Sequence, residues 1–82
     1  MYYVYFLKCS DNKTYLGRTN DLKERFRRHQ NGYVKATSHR RPINLLAYFA
    51  FQNKHTAFEF EQYLKTSSGR SFLIKHNLLL SK

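Results

Sequence analysis

The run Tyr2-Tyr3-Val4-Tyr5-Phe6-Leu7, carried on to Cys9, limits the fold more than any other stretch of the chain. It is apolar on both alternating faces. Tyr3, Tyr5, Leu7 and Cys9 fall on one side, and Tyr2, Val4 and Phe6 on the other. Such a strand has to be covered above and below, so it belongs at the centre of a sheet with layers on both sides. The 82 residues suffice for one small domain, spanning 1–82, that buries only about 60–65% of its unfolded surface. Seven Tyr and seven Phe make that modest core workable, since each aromatic buries roughly 150–250 Å².

Ser10-Asp11-Asn12-Lys13 is turn chemistry, and Thr14 to Gly17 is the return strand of a hairpin. The loop length matters. An odd loop places Tyr5 and Tyr15 on the same face of the sheet, and a plain even loop places them on opposite faces. A helix is expected over Leu22 to Gln30. Asp21 is its cap, Glu24 completes a capping box, and Asn31-Gly32 is a left-handed stop. Leu22 and Phe26 share one face of that helix, and Arg25 and His29 a neighbouring one. Residues 33–43 read as a loop.

Leu45 to Phe51 is a nearly continuous apolar run, expected to be a third strand buried on both faces. Thr56 and Glu59 are expected to form a second capping box. The helix they begin carries the stripe Ala57, Phe60, Leu64. Thr66-Ser67-Ser68-Gly69 is expected to break it, and Arg70 to about Leu79 to form a shorter third helix. The order is strand, strand, helix, strand, helix, helix.

Fifteen Lys or Arg against five Asp or Glu give a net charge of +10. That balance points to a polyanion, nucleic acid ahead of an anionic membrane. In the loop, Lys35, His39, Arg40 and Arg41, interspersed with Thr37 and Ser38, suit contact with phosphates. No apolar run approaches a bilayer span and no signal peptide is visible, so no membrane partner is expected. The single Cys9 excludes an internal disulfide and fits a reducing, cytoplasmic setting. The scattered His and lone Cys offer no zinc spacing, and there is no Gly-rich phosphate loop.

The five carboxylates can be examined one by one. A turn accounts for Asp11, the first helix start for Asp21 and Glu24, and the second for Glu59. Glu61 has no such explanation. It stands between Ala57 and Leu64, where the stripe would accept an apolar side chain. A carboxylate there needs a partner. Two are open to it: Lys65 at i+4, or a divalent metal ion.

With these positions in hand, the chain resembles the GIY-YIG nuclease family nearly end to end. Tyr3-Val4-Tyr5 stands where the family has its first signature, and Tyr15-Leu16-Gly17 where it has its second. Thr19, Asp21-Leu22, Arg25 and His29 follow at the family's spacing. Ala57, Glu61, Leu64 and Lys65 match the helix that carries its single catalytic glutamate. The chain looks most like the small, stand-alone bacterial members. It departs from the pattern at Tyr3 and Val4, which replace Gly and Ile, and at Leu16, which replaces Ile.

The resemblance implies a compact α/β (α+β) fold, a small three-stranded antiparallel sheet flanked by helices. It implies metal-dependent hydrolysis of phosphodiesters, with Glu61 as ligand to Mg²⁺ or Mn²⁺. Tyr5 and Tyr15 are then the phenols near the scissile phosphate. Tyr5 is the first choice to deprotonate or orient the attacking water, given neighbours that lower its pKa. Arg25 holds the phosphate, and His29 shares a proton with a tyrosine or binds phosphate. Arg18 and Lys65 join the loop cations Lys35, His39, Arg40 and Arg41 in contacting nucleic acid, DNA before RNA. A substrate-selecting protein partner is also compatible with so small a domain. The competing function is a nucleic-acid-binding module without catalysis.

Overall fold

The computed structural model describes residues 1–79. The elements follow the expected order: β1 Tyr2–Lys8, β2 Thr14–Thr19, α1 Leu22–Gln30, β3 Asn44–Phe51, α2 Lys54–Leu64 and α3 Ser67–Lys75. The three strands form an antiparallel sheet in the order β2-β1-β3. β1 is central, and Val4, Tyr5, Phe6 and Leu7 are all essentially sealed from solvent. No helix among the described residues is long and apolar enough to cross a membrane.

The two faces of β1 seed two cores. Val4 and Phe6 pack with Ala57, Leu64 and Leu73 from α2 and α3, supported by Phe49, Phe60 and Phe72. Tyr5, Leu7 and Cys9 pack with Ile43 on the other face, against Tyr15, Leu22 and Phe26. The hairpin loop is the odd one. Leu7 pairs with Tyr15 and Tyr5 with Gly17, so Tyr5 and Tyr15 lie on the same face, beneath α1. Asn12 supplies the left-handed residue of the turn at φ 61°, a conformation Asn tolerates well.

Four local expectations change. β3 is not buried on both faces. It is an edge strand, with Tyr48 52% and Leu45 37% exposed, because α1 covers the β1–β2 side of that face and leaves β3 open. The first helix is capped by Asp21, which accepts from the Glu24 backbone N–H at 3.2 Å. Glu24 does not complete the box, since its carboxylate turns outward to Arg27 at 2.7 Å.

α2 starts two residues before Thr56. Its cap is Asn53, whose Oδ1 accepts from the backbone N–H groups of His55 and Thr56, and Glu59 pairs with His55 instead. An Asx cap outranks Thr here because the chain leaves β3 directly into the helix. The segment read as a breaker is itself the start of α3. Thr66 caps it through the Gly69 N–H, and α3 runs from Ser67 to Lys75 rather than from Arg70 to Leu79. A Cβ at Gly69 would run into the Tyr63 carbonyl and the Leu64 backbone, so only glycine lets α3 fold back this closely on the end of α2.

Candidate active site

Four segments converge on the face of the sheet that α1 covers: β1, β2, α1 and the loop after α1. Tyr5 comes from the middle of β1 and Tyr15 from β2 on the same face. Gly17, directly opposite Tyr5, has no side chain, and the Tyr5 ring lies across that gap. α1 brings Arg25 and His29, one turn apart, over the two phenols. The Tyr5 and His29 rings meet edge to face with centroids 5.7 Å apart, and Tyr15 and His29 do so at 5.1 Å.

The polar contacts centre on one oxygen. The Tyr5 hydroxyl lies 2.9 Å from His29 Nε2, and Arg25 Nε donates to that same oxygen at 3.4 Å. His29 is fully buried, and its other ring nitrogen, Nδ1, lies 2.8 Å from the buried hydroxyl of Thr37 in the following loop.

Burial governs the titration of these groups. It pushes the Tyr5 phenol above its ordinary value, and the Arg25 hydrogen bond opposes it only in part. The lowering that a water-activating tyrosine calls for is thus absent from the free protein, because desolvation outweighs the neighbouring cation. His29 is pushed down to about 4, first by burial and then by the Arg25 charge. At neutral pH the cluster therefore holds a neutral imidazole and a protonated phenol beside a guanidinium.

α2 contributes the carboxylate. Glu61 has a side chain only 14% exposed, with Arg18 Nη1 at 3.7 Å and Lys65 Nζ at 4.0 Å. Helix spacing points to Lys65 but not to Arg18, which reaches Glu61 from β2 on the face that α2 covers. Arg18 also rests on the Phe58 ring at 4.8 Å. α2 packs against the Val4 and Phe6 face of β1, and the Glu61 charge is the weakest of the influences on the Tyr5 phenol. Beside Arg18 opens a cleft of about 590 Å³ lined by Tyr2, Lys54, Phe58 and the β3–α2 turn.

Both cations lie beyond hydrogen-bonding distance of Glu61. No group of three or more His, Cys, Asp or Glu gathers among the described residues. That donor set does not suit zinc. It does suit a hard cation such as Mg²⁺, which keeps several waters and needs one or two carboxylates beside substrate phosphates.

The loop over 33–43 divides its residues. Lys35, His39 and Arg41 are exposed, and Arg41 Nε donates to the Ser38 carbonyl at 3.0 Å. Arg40 is turned back, pairing with Asp11 at 2.8 Å while its carbonyl accepts from Ser10 N–H. Val34, Thr37 and Ile43 are buried. The loop is thus fastened to the hairpin turn and presses Thr37 onto His29. That inward role went unread, since Thr37 stands among the polar residues of an outwardly basic loop.

A three-stranded antiparallel sheet with this helix order and this cluster defines a GIY-YIG catalytic domain. The profile of that domain matches residues 1–75. The chain belongs to the GIY-YIG family, a nuclease family. Among its relatives it is similar to small proteins known as UPF0213. It is 38% identical to one from Limosilactobacillus reuteri, across 99% of this chain and 91% of that one. It is 44% identical to another from Clostridium perfringens, across 79% of this chain and 71% of that one. A UPF0213 protein from Bacillus halodurans, solved by solution NMR, has the same fold at a TM-score of 0.58 and 33% identity, covering 95% of this chain and 87% of that one.

Proposed function

We propose that this protein is a metal-dependent endonuclease that hydrolyses phosphodiester bonds in nucleic acid, DNA before RNA. The observation that carries the reading is the Tyr5 hydroxyl held between His29 Nε2 and Arg25 Nε. Core packing alone does not call for an imidazole and a guanidinium on one buried phenol.

In the proposed reaction, water adds to phosphorus as one P–O ester bond breaks. The water proton passes to the Tyr5 oxygen as the Tyr5 proton passes to His29 Nε2, and the departing oxygen is protonated from solvent. Arg25 binds the phosphate and offsets charge building on its oxygens, a task that suits a planar fork. The phosphate in turn offsets the Arg25 charge that depresses His29, so substrate binding makes the imidazole a better base. Glu61 would hold the divalent cation, whose chemistry is to neutralise charge on the phosphoryl group. Arg18, Lys65, Lys35, His39 and Arg41 supply positive surface for flanking phosphates, and Arg40 does so only as far as Asp11 releases it.

The deciding experiment incubates wild type and Glu61→Ala with labelled single-stranded, duplex and branched DNA, with Mg²⁺ or chelator, and reads binding and cleavage in the same samples. Cleavage by wild type with metal, lost in Glu61→Ala while binding persists, is the expected result. Equal binding by both proteins with no cleavage of DNA, or of RNA tested next, would replace this reading with that of a binding module.

A further inference from the structure

His29 is fully buried, so both of its ring nitrogens must find partners inside the protein. A neutral imidazole carries one donor and one acceptor, and its partners decide which nitrogen is which. Thr37 Oγ1 lies 2.8 Å from Nδ1 and 3.4 Å from the Val34 carbonyl. A carbonyl can only accept, so the single Thr37 proton goes to Val34. The Thr37 oxygen is left to accept from Nδ1–H.

The other end of the ring gives the same answer. Arg25 Nε can only donate, and it donates to the Tyr5 oxygen. The Tyr5 proton is then directed at Nε2, 2.9 Å away. The bonds run in one sense from Arg25 through Tyr5 and His29 to Thr37 and the Val34 carbonyl, and each donor has an acceptor. The Val34 carbonyl also accepts from the Thr37 backbone N–H at 3.0 Å, which fixes the loop end of the chain.

We propose that Thr37 is a positioning residue of this site: its hydroxyl holds His29 in the Nδ1–H tautomer, so that Nε2 faces Tyr5 as a proton acceptor. Only a hydroxyl can accept from the ring while donating to the carbonyl. An apolar side chain of the same shape leaves Nδ1–H without an acceptor, a costly state for a buried group. The ring then moves its proton to Nε2, and the Tyr5 proton loses its acceptor. The consequence for rate rests on the nuclease reading above; the tautomer does not.

The test is NMR of the full chain with ¹⁵N-labelled histidine at neutral pH, without substrate or metal, for wild type, Thr37→Ser and Thr37→Val. The expected result is Nδ1–H at His29 in wild type and Thr37→Ser, and Nε2–H in Thr37→Val. Cleavage should fall on the order of 100-fold in kcat for Thr37→Val, with KM held and Thr37→Ser restoring the rate. An Nε2–H tautomer in wild type, or an unchanged tautomer in Thr37→Val, overturns the proposal. Should Thr37→Val fail to fold, wild type and Thr37→Ser still decide it, since either one carrying Nε2–H is enough to sink it. A wild type with the Nδ1–H ring that cuts nothing would refute the nuclease reading and leave Thr37's hold on the ring intact.

Discussion

Gly17 and Tyr5 face each other across the β1–β2 ladder, and the Tyr5 ring occupies the space a Gly17 side chain would need. A Cβ at position 17 would sit on Cζ and the hydroxyl of that ring. The glycine is therefore required by a side chain on the neighbouring strand, and not by its own backbone.

Gly17→Ala tests this directly. The ring must move, and with it the contacts to His29 and Arg25. Overpacking of this kind costs about 1–3 kcal/mol, to be read from urea unfolding. Cleavage should fall further than stability does. A Gly17→Ala variant as stable and as active as wild type would show that the ring is free to lie elsewhere.

The second prediction concerns pH. His29 is held down at about 4 in the folded protein, against an unfolded value near 6.5. Between those values the unfolded chain binds the extra proton, so stability rises with pH through this window. The full contribution is present above about 6.5 and is lost as pH falls toward 4, by up to about 3 kcal/mol. Urea midpoints at pH 7.5 and pH 5 should differ in wild type. They should differ much less in His29→Gln, and equal slopes in the two proteins would contradict the burial of a neutral ring.

Arg25 is half-buried and acts through its geometry. Arg25→Lys keeps the charge and loses the planar fork. Loss of one such donor to a developing oxyanion costs on the order of 10²–10³ in kcat. Steady-state cleavage should show that fall, with oligonucleotide binding changed much less. A lysine variant within a few-fold of wild type would reduce Arg25 to a simple counter-charge.

The loop cations should separate by measurement. Exposed Lys35 is expected to contact phosphate, so Lys35→Ala should weaken binding and lower the salt slope by about one. Arg40 is committed to Asp11. Arg40→Ala should lower the melting temperature and leave the salt slope nearly unchanged. The reverse pattern in fluorescence anisotropy titrations would place Arg40 on the nucleic acid.

The parts legible in the sequence were those set by short-range chemistry. Periodicity placed β1 at the centre, and helix spacing put Arg25 and His29 on one side of α1, where both meet Tyr5. The register that brings Tyr5 and Tyr15 together was one of two open choices, because loop parity could not be counted from composition. The exposure of Leu45 and Tyr48 on β3 is not legible, because apolar continuity does not say how far a covering helix extends over each face of the sheet. Thr56 and Glu59 fit the capping-box motif, yet Asn53, nearer the end of β3, is the residue that caps α2. Arg18 at Glu61 and Thr37 at His29 were missed for a shared reason: each contact exists only once separate segments are folded together.

β1 has a consequence beyond packing. It carries Tyr5 and is, among the described residues, the strand paired on both sides, while the groups around Tyr5 arrive from β2, α1 and the loop after α1. No contiguous half of the chain holds both these groups and Glu61. A fragment ending before α2 lacks Glu61, and one that begins after β1 lacks the phenol. On the nuclease reading, the chemistry should therefore be all-or-none with respect to folding. Residual cleavage in denaturant should then track the fraction of intact molecules.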